Sequence, residues 1–126
     1  MATILILEDS HERIEQFVEH FKHSRHGLII TDNVDQAIAM LSTRKIDLVY
    51  LDHDLGGKTN VDPTVEKTGY HVAKFIAEMA TSRPGNVIIH SCNAPGAQSM
   101  ADVLLNAKVV TYNAPFPTCL TQFKIK

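Results

Sequence analysis

Three short stretches of this sequence concentrate the residues that can hold a metal ion or move a proton. Glu8 and Asp9 are adjacent, Asp52, His53 and Asp54 are consecutive, and His90 is followed by Ser91 and Asn93. Carboxylate oxygens are the ligands that hard divalent ions such as Mg²⁺ or Mn²⁺ take. Brought close together, these acids repel one another unless a cation or a positively charged partner sits among them. Imidazole can act as general acid or general base near neutral pH, which makes His53 and His90 the candidates for proton transfer. This chemistry requires that the fold bring the three stretches to one place.

Each stretch directly follows a short apolar run. Thr3 to Leu7 is continuous and apolar after its first residue, as expected of a strand buried on both faces, and similar runs lie at Leu28–Ile30, Ile46–Leu51, Val87–Ile89 and Val109–Thr111. Between them apolar residues recur at helical spacing: Ile14, Phe17, Val18, Phe21; Val34, Ala37, Ile38, Leu41; Val72, Phe75, Ile76, Met79; and Met100, Val103, Leu104, Ala107. Four helices alternating with five strands predict a parallel sheet with helices on both faces. Ligands of such sheets bind outside the carboxyl ends of the strands, where all three stretches fall. Asp9 or Ser10 can cap the first helix, Asn33 with Gln36 has the spacing of a capping box, Pro84-Gly85 ends the third helix, and Pro95 suits the first turn of the fourth. His53 to Lys67 has no apolar periodicity, and so long an irregular stretch in a small domain is usually functional.

Length and composition fit this scheme. The 126 residues predict one domain, and 44% hydrophobic with 21% charged residues exclude disordered and fibrous classes. Twelve basic against fourteen acidic side chains, a net charge of −2, argue against wrapping an extended nucleic acid. No apolar run reaches membrane-spanning length, no signal peptide is evident, and Cys92 and Cys119 read as reduced thiols of a cytoplasmic protein.

Blander roles compete at several positions. Asp9 can be only a helix cap, and Ser91 and Asn93 can cap the fourth helix while also holding an anion. His90 alone could be a core histidine. His20, His23 and His26 read as surface residues, and His71 stands as a weaker candidate near the rim. Cys92 has no partner at zinc-ligand spacing.

The Ile4-Leu5-Ile6-Leu7-Glu8-Asp9-Ser10 start, the strand ending in Asp52 and the Pro115-Phe116 end resemble the receiver domains of response regulators over nearly the whole chain. That likeness implies a doubly wound five-stranded sheet in the order 2-1-3-4-5, with a fifth helix short or absent. Receivers carry a lysine before the proline that follows the fifth strand, where this chain has Ala114, so the resemblance does not extend to aspartyl-phosphate transfer. A narrower likeness is carried by Leu51-Asp52-His53-Asp54-Leu55-Gly56, Thr68-Gly69-Tyr70, and His90-Ser91-Cys92-Asn93-Ala94-Pro95-Gly96 with Met100. These are similar to the cyclic-phosphate-processing receiver domains, although Glu8 stands where that family more often has Asp.

This resemblance implies a metal-assisted phosphoesterase acting on a small cyclic phosphate or an RNA terminus. On that reading Asp9 and Asp52 hold one divalent ion, Glu8 bonds a coordinated water, and Asp54 ligates or orients. His53 and His90 flank one phosphorus as acid and base, and Ser91, Asn93 and Gly96 with the opening of the fourth helix hold phosphate oxygens. A non-catalytic receiver-like switch and a plain interaction module are the alternatives.

Overall fold

The computed structural model of the protein describes residues 2–55 and 67–122. Most of the irregular stretch, residues 56–66, lies outside them, so the functional role expected of it stays an expectation. Five strands, β1 (Thr3–Leu7), β2 (Gly27–Thr31), β3 (Leu48–Leu51), β4 (Asn86–Ile89) and β5 (Thr111–Asn113), alternate with α1 (His11–Phe21), α2 (Val34–Thr43), α3 (Gly69–Glu78), α4 (Ala94–Asn106) and the short α5 (Cys119–Gln122). The strands form one parallel sheet in the order β2-β1-β3-β4-β5, the receiver order. Among the described residues no helix is long and apolar enough to cross a membrane.

Side-chain alternation divides the core in two. Leu5, Leu7, Val49, Leu51, Val87 and Ile89 pack with α2, α3 and α4, whereas Ile4, Ile6, Leu48, Tyr50 and Ile88 pack with Phe17 of α1 and Cys119 of α5. The α1 side is thinner than its sequence stripe suggests. Only Phe17 is fully buried there, and Val18 remains 45% exposed.

Two boundaries differ from expectation. The fifth strand starts at Thr111 rather than Val109, because the Val109 N–H closes the end of α4 on the Leu104 carbonyl at 3.0 Å. Lys108, with φ of 64°, makes the left-handed turn that permits this. The third helix ends at Glu78, well before Pro84-Gly85. The Arg83 guanidinium then donates to the carbonyls of Ala77, Met79 and Ala107, tying the ends of α3 and α4 together.

Candidate functional site

The parallel ladder continues one residue past three strands. The N–H groups of Glu8, Asp52 and His90 donate to the carbonyls of Thr31, Leu7 and Leu51 at 3.0, 3.2 and 3.0 Å. Even numbering therefore sends all three side chains to the α1/α5 face, directly above Ile6, Tyr50 and Ile88. All three are buried, and their ligand atoms lie within 4.8 Å of one another.

Glu8 is the hub of this cluster. Its carboxylate accepts from Arg13 Nε (2.7 Å) and Nη2 (3.0 Å), from the backbone N–H groups of Asp9 (2.9 Å) and Ser10 (3.1 Å), and lies 3.0 Å from His90 Nε2. A carboxylate only accepts, so Nε2 is the protonated nitrogen of His90. Burial pushes the Glu8 pKa up, but hydrogen bonds from His90 and Arg13 outweigh it and hold the group well below the usual carboxylate range. At Asp52 the balance reverses. Burial, reinforced by the Glu8 charge, pushes it up to about 7 against the opposing pull of Arg13 and the His53 N–H. Arg13 Nη2 lies 3.6 Å from Asp52 Oδ2, so one guanidinium spans both acids.

His53 has the opposite parity and enters a second cluster at the start of α4. Its Nδ1 lies 2.9 Å from Asp54 Oδ1, which also accepts from Asn93 Nδ2 at 3.1 Å. Asn93 Oδ1 accepts the Gly96 N–H (3.0 Å) and Ser91 Oγ accepts the Asn93 N–H (3.0 Å). With Nδ1–H given to Asp54, the lone pair of the neutral ring resides on Nε2, which is buried and has no partner among the described residues. The arrangement is a carboxylate-oriented imidazole whose basic nitrogen is buried and carries no hydrogen bond among the described residues.

The two histidines are not brought together as the sequence reading expects. His90 lies behind Glu8, its ring 5.4 Å from that of Phe17 and 6.2 Å from that of Tyr50, whereas His53 faces α4. Neighbouring strand ends were the right signal for proximity, but parity assigns the rings to opposite faces. Gly96 also has a different task from the expected anion contact. Its N–H is taken by Asn93, and a Cβ there would fall 2.5 Å from His53 Cγ, so its bare backbone lets α4 rest on the imidazole. A Cβ on Gly69 would run into the Asp52 carbonyl oxygen, so α3 starts against the end of β3 only with glycine there. His71 closes the cap of α3, its Nδ1 accepting the Thr68 N–H at 3.0 Å. Ser10, rather than Asp9, caps α1, and Asp9 stands half-buried beside Glu8, its charge adding to the upward push on Asp52.

Arg13 was not foreseen. It is the third residue of α1, and helical side chains lean toward the N-terminus, which carries its fork back over Glu8. An arginine five residues after the first acid of the pair is the signal that could have found it. Ala114 is buried in the α1/α5 cluster, so a methyl group occupies the position of the receiver lysine.

Asp52 and Asp9 carry the oxygen donors that suit a hard divalent ion, and the Glu8, Asp52, His90 cluster could hold one. Both Glu8 oxygens are already engaged by hydrogen bonds, which suits it to outer-sphere support rather than direct ligation.

A family model described as "Cyclic-phosphate processing Receiver domain" matches residues 3–106. No curated protein matches the chain. Solved structures resemble it in fold. The receiver domain of sensor histidine kinase PA1611 from Pseudomonas aeruginosa, with magnesium in its active-site cleft, has TM-score 0.67 and 20% identity over 96% of this chain and 91% of its own. The phosphorylated cyanobacterial phytochrome response regulator RcpA has TM-score 0.70 and 20% identity, covering 96% and 84%. The Mn²⁺-bound response regulator Rcp1 has TM-score 0.64 and 23% identity, covering 90% and 81%.

Proposed function

The chain belongs to the cyclic-phosphate processing receiver domain family, and from that premise we propose that it is a phosphoesterase opening small cyclic phosphates, of the nucleotide or RNA-end 2′,3′-cyclic class. The observation that carries this reading is the buried Nε2 of His53, without a partner among the described residues, on a ring whose Nδ1 is fixed by Asp54 and, through it, Asn93. His53 takes a proton from a water attacking phosphorus. The new P–O bond forms as a ring P–O bond breaks, and the same proton is returned to the departing ring oxygen, leaving a phosphomonoester. Asp54 stabilises the imidazolium formed in between. The Ser91 hydroxyl accepts from Asn93 and keeps its own proton to donate to a phosphate oxygen. Mg²⁺ or Mn²⁺ on Asp9 and Asp52 would neutralise phosphate charge and lower the pKa of a bound water. On this reading His90 anchors Glu8 through Nε2, although its Nδ1, like His53 Nε2, is buried with no hydrogen-bond partner among the described residues.

The test is a metal panel against 2′,3′-cyclic nucleotides, cyclic-phosphate RNA ends, 3′,5′-cyclic nucleotides and ADP-ribose 1″,2″-cyclic phosphate. Turnover of one of these, lost by about 10²–10⁴-fold in His53→Ala, is expected. Absence of turnover across the panel, or a fully active His53→Ala protein, overturns the reading. The non-catalytic switch is favoured by Asp52 standing where receivers accept a phosphoryl group. A stable phosphoryl adduct on Asp52 from acetyl phosphate would install that reading in place of ours.

A further inference from the structure

The rim that must receive an anionic phosphate is built from Glu8, Asp9, Asp52 and Asp54, and the receiver lysine is replaced by the buried methyl of Ala114. With that lysine gone, a side-chain cation to work beside any divalent ion would come from another element of the chain. We propose that Arg13 is a phosphate-binding residue of this site, supplying from α1 the positive charge that receivers bring from the end of β5. This inference rests on the phosphate reading above and deepens it.

The geometry separates two jobs within one guanidinium. Nε and Nη2 are committed to the Glu8 carboxylate at 2.7 and 3.0 Å, a fork that fixes the plane of the group. Glu8 is itself immobilised by His90 Nε2 and by two backbone N–H groups, so the anchor is rigid. No described residue accepts from Nη1, and the side chain is 33% exposed although its partner acid is fully buried. Nη2 lies 3.6 Å from Asp52 Oδ2, which sets the guanidinium at the catalytic end of β3 rather than out on the helix surface. A planar, always-charged group held on one edge and open on the other suits a phosphate oxygen. Pre-orientation by Glu8 also reduces the side-chain entropy lost when an anion binds. Glu8 and His90 are then positioning residues for Arg13.

Binding of inorganic phosphate and of 2′,3′-cyclic AMP by the whole chain, followed by titration calorimetry over a range of salt, tests this. Arg13→Gln should weaken both by about tenfold or more, the scale of one lost charge-assisted hydrogen bond, and should flatten the salt dependence. Arg13→Lys, which keeps the charge without the fork, should lie between. If Arg13→Gln fails to fold because Glu8 is left unpaired, Glu8→Gln/Arg13→Gln removes both charges and should show the same loss in a folded protein. Unchanged affinity and salt dependence in a folded Arg13 variant overturns the assignment of Arg13 alone. Wild-type protein that binds neither anion overturns this inference together with the reading it rests on.

Discussion

Gly96→Ala tests whether α4 truly rests on His53. The added methyl would be placed 2.5 Å from His53 Cγ, 2.6 Å from Cδ2 and 2.8 Å from Nδ1, each well inside carbon contact distance. To restore ordinary contact the ring must retreat by about 1 Å, and a retreat of that size strains its 2.9 Å bond to Asp54. Overpacking of this kind costs about 1–3 kcal/mol, and the strained hydrogen bond adds about 1 kcal/mol. Alanine in a helix returns about 1 kcal/mol. The balance is a net destabilisation of about 1–3 kcal/mol. With a urea m-value of ~2 kcal/mol/M, the unfolding midpoint should fall by about 0.5–1.5 M. Gly27→Ala is the control, because a Cβ at Gly27 meets nothing within 4 Å. A Gly96→Ala protein as stable as wild type, with an unmoved His53 imidazole resonance, would refute the packing argument.

Other perturbations separate the two clusters. Burial and the Glu8 charge push Asp52 from 3.8 up to about 7, so between those values the folded state holds the extra proton and stability falls as pH rises. Asp52→Asn should therefore be increasingly stabilising from about pH 4 to 7 and level above, measured by metal-free urea melts; a difference that does not change with pH contradicts the burial argument. His90→Ala should cost about 2–4 kcal/mol, through lost packing on Phe17 and a Glu8 deprived of one donor, and a neutral result in thermal melts would return His90 to the rim. Mn²⁺ should raise the melting temperature of wild type by mass action and leave Asp52→Asn nearly unmoved; equal shifts in both would place the ion elsewhere.

Strand and helix order, the meeting of three polar stretches at the carboxyl ends of the strands, the caps at Ser10 and Asn33, and Pro95 in the first turn of α4 were all legible in the sequence, because each follows from local periodicity or cap chemistry. Less was legible at the site. The strand-end positions of His53 and His90 are clear in sequence, but their faces depend on where β3 and β4 register, and the two differ in parity. Arg13 was hidden because its role depends on the lean of one helical side chain across space. Gly96 and Gly69 read as motif glycines, and only the packed fold shows that each is a surface against which another group closes.

The parity that splits the site has a consequence for how it can be altered. Asp52 and His53 are consecutive, yet one belongs with Arg13 and the other with Asn93. Removing a single residue within β3 would bring His53 to the place of Asp52 and Asp54 to the place of His53, setting an imidazole against the arginine fork and a carboxylate against the opening of α4. Point changes can be absorbed one at a time, but a length change in that strand exchanges the chemistry of both faces at once. Grafting the Leu51–Asp54 run onto another parallel sheet would therefore succeed or fail on alignment to the neighbouring strands, whatever residues are carried across.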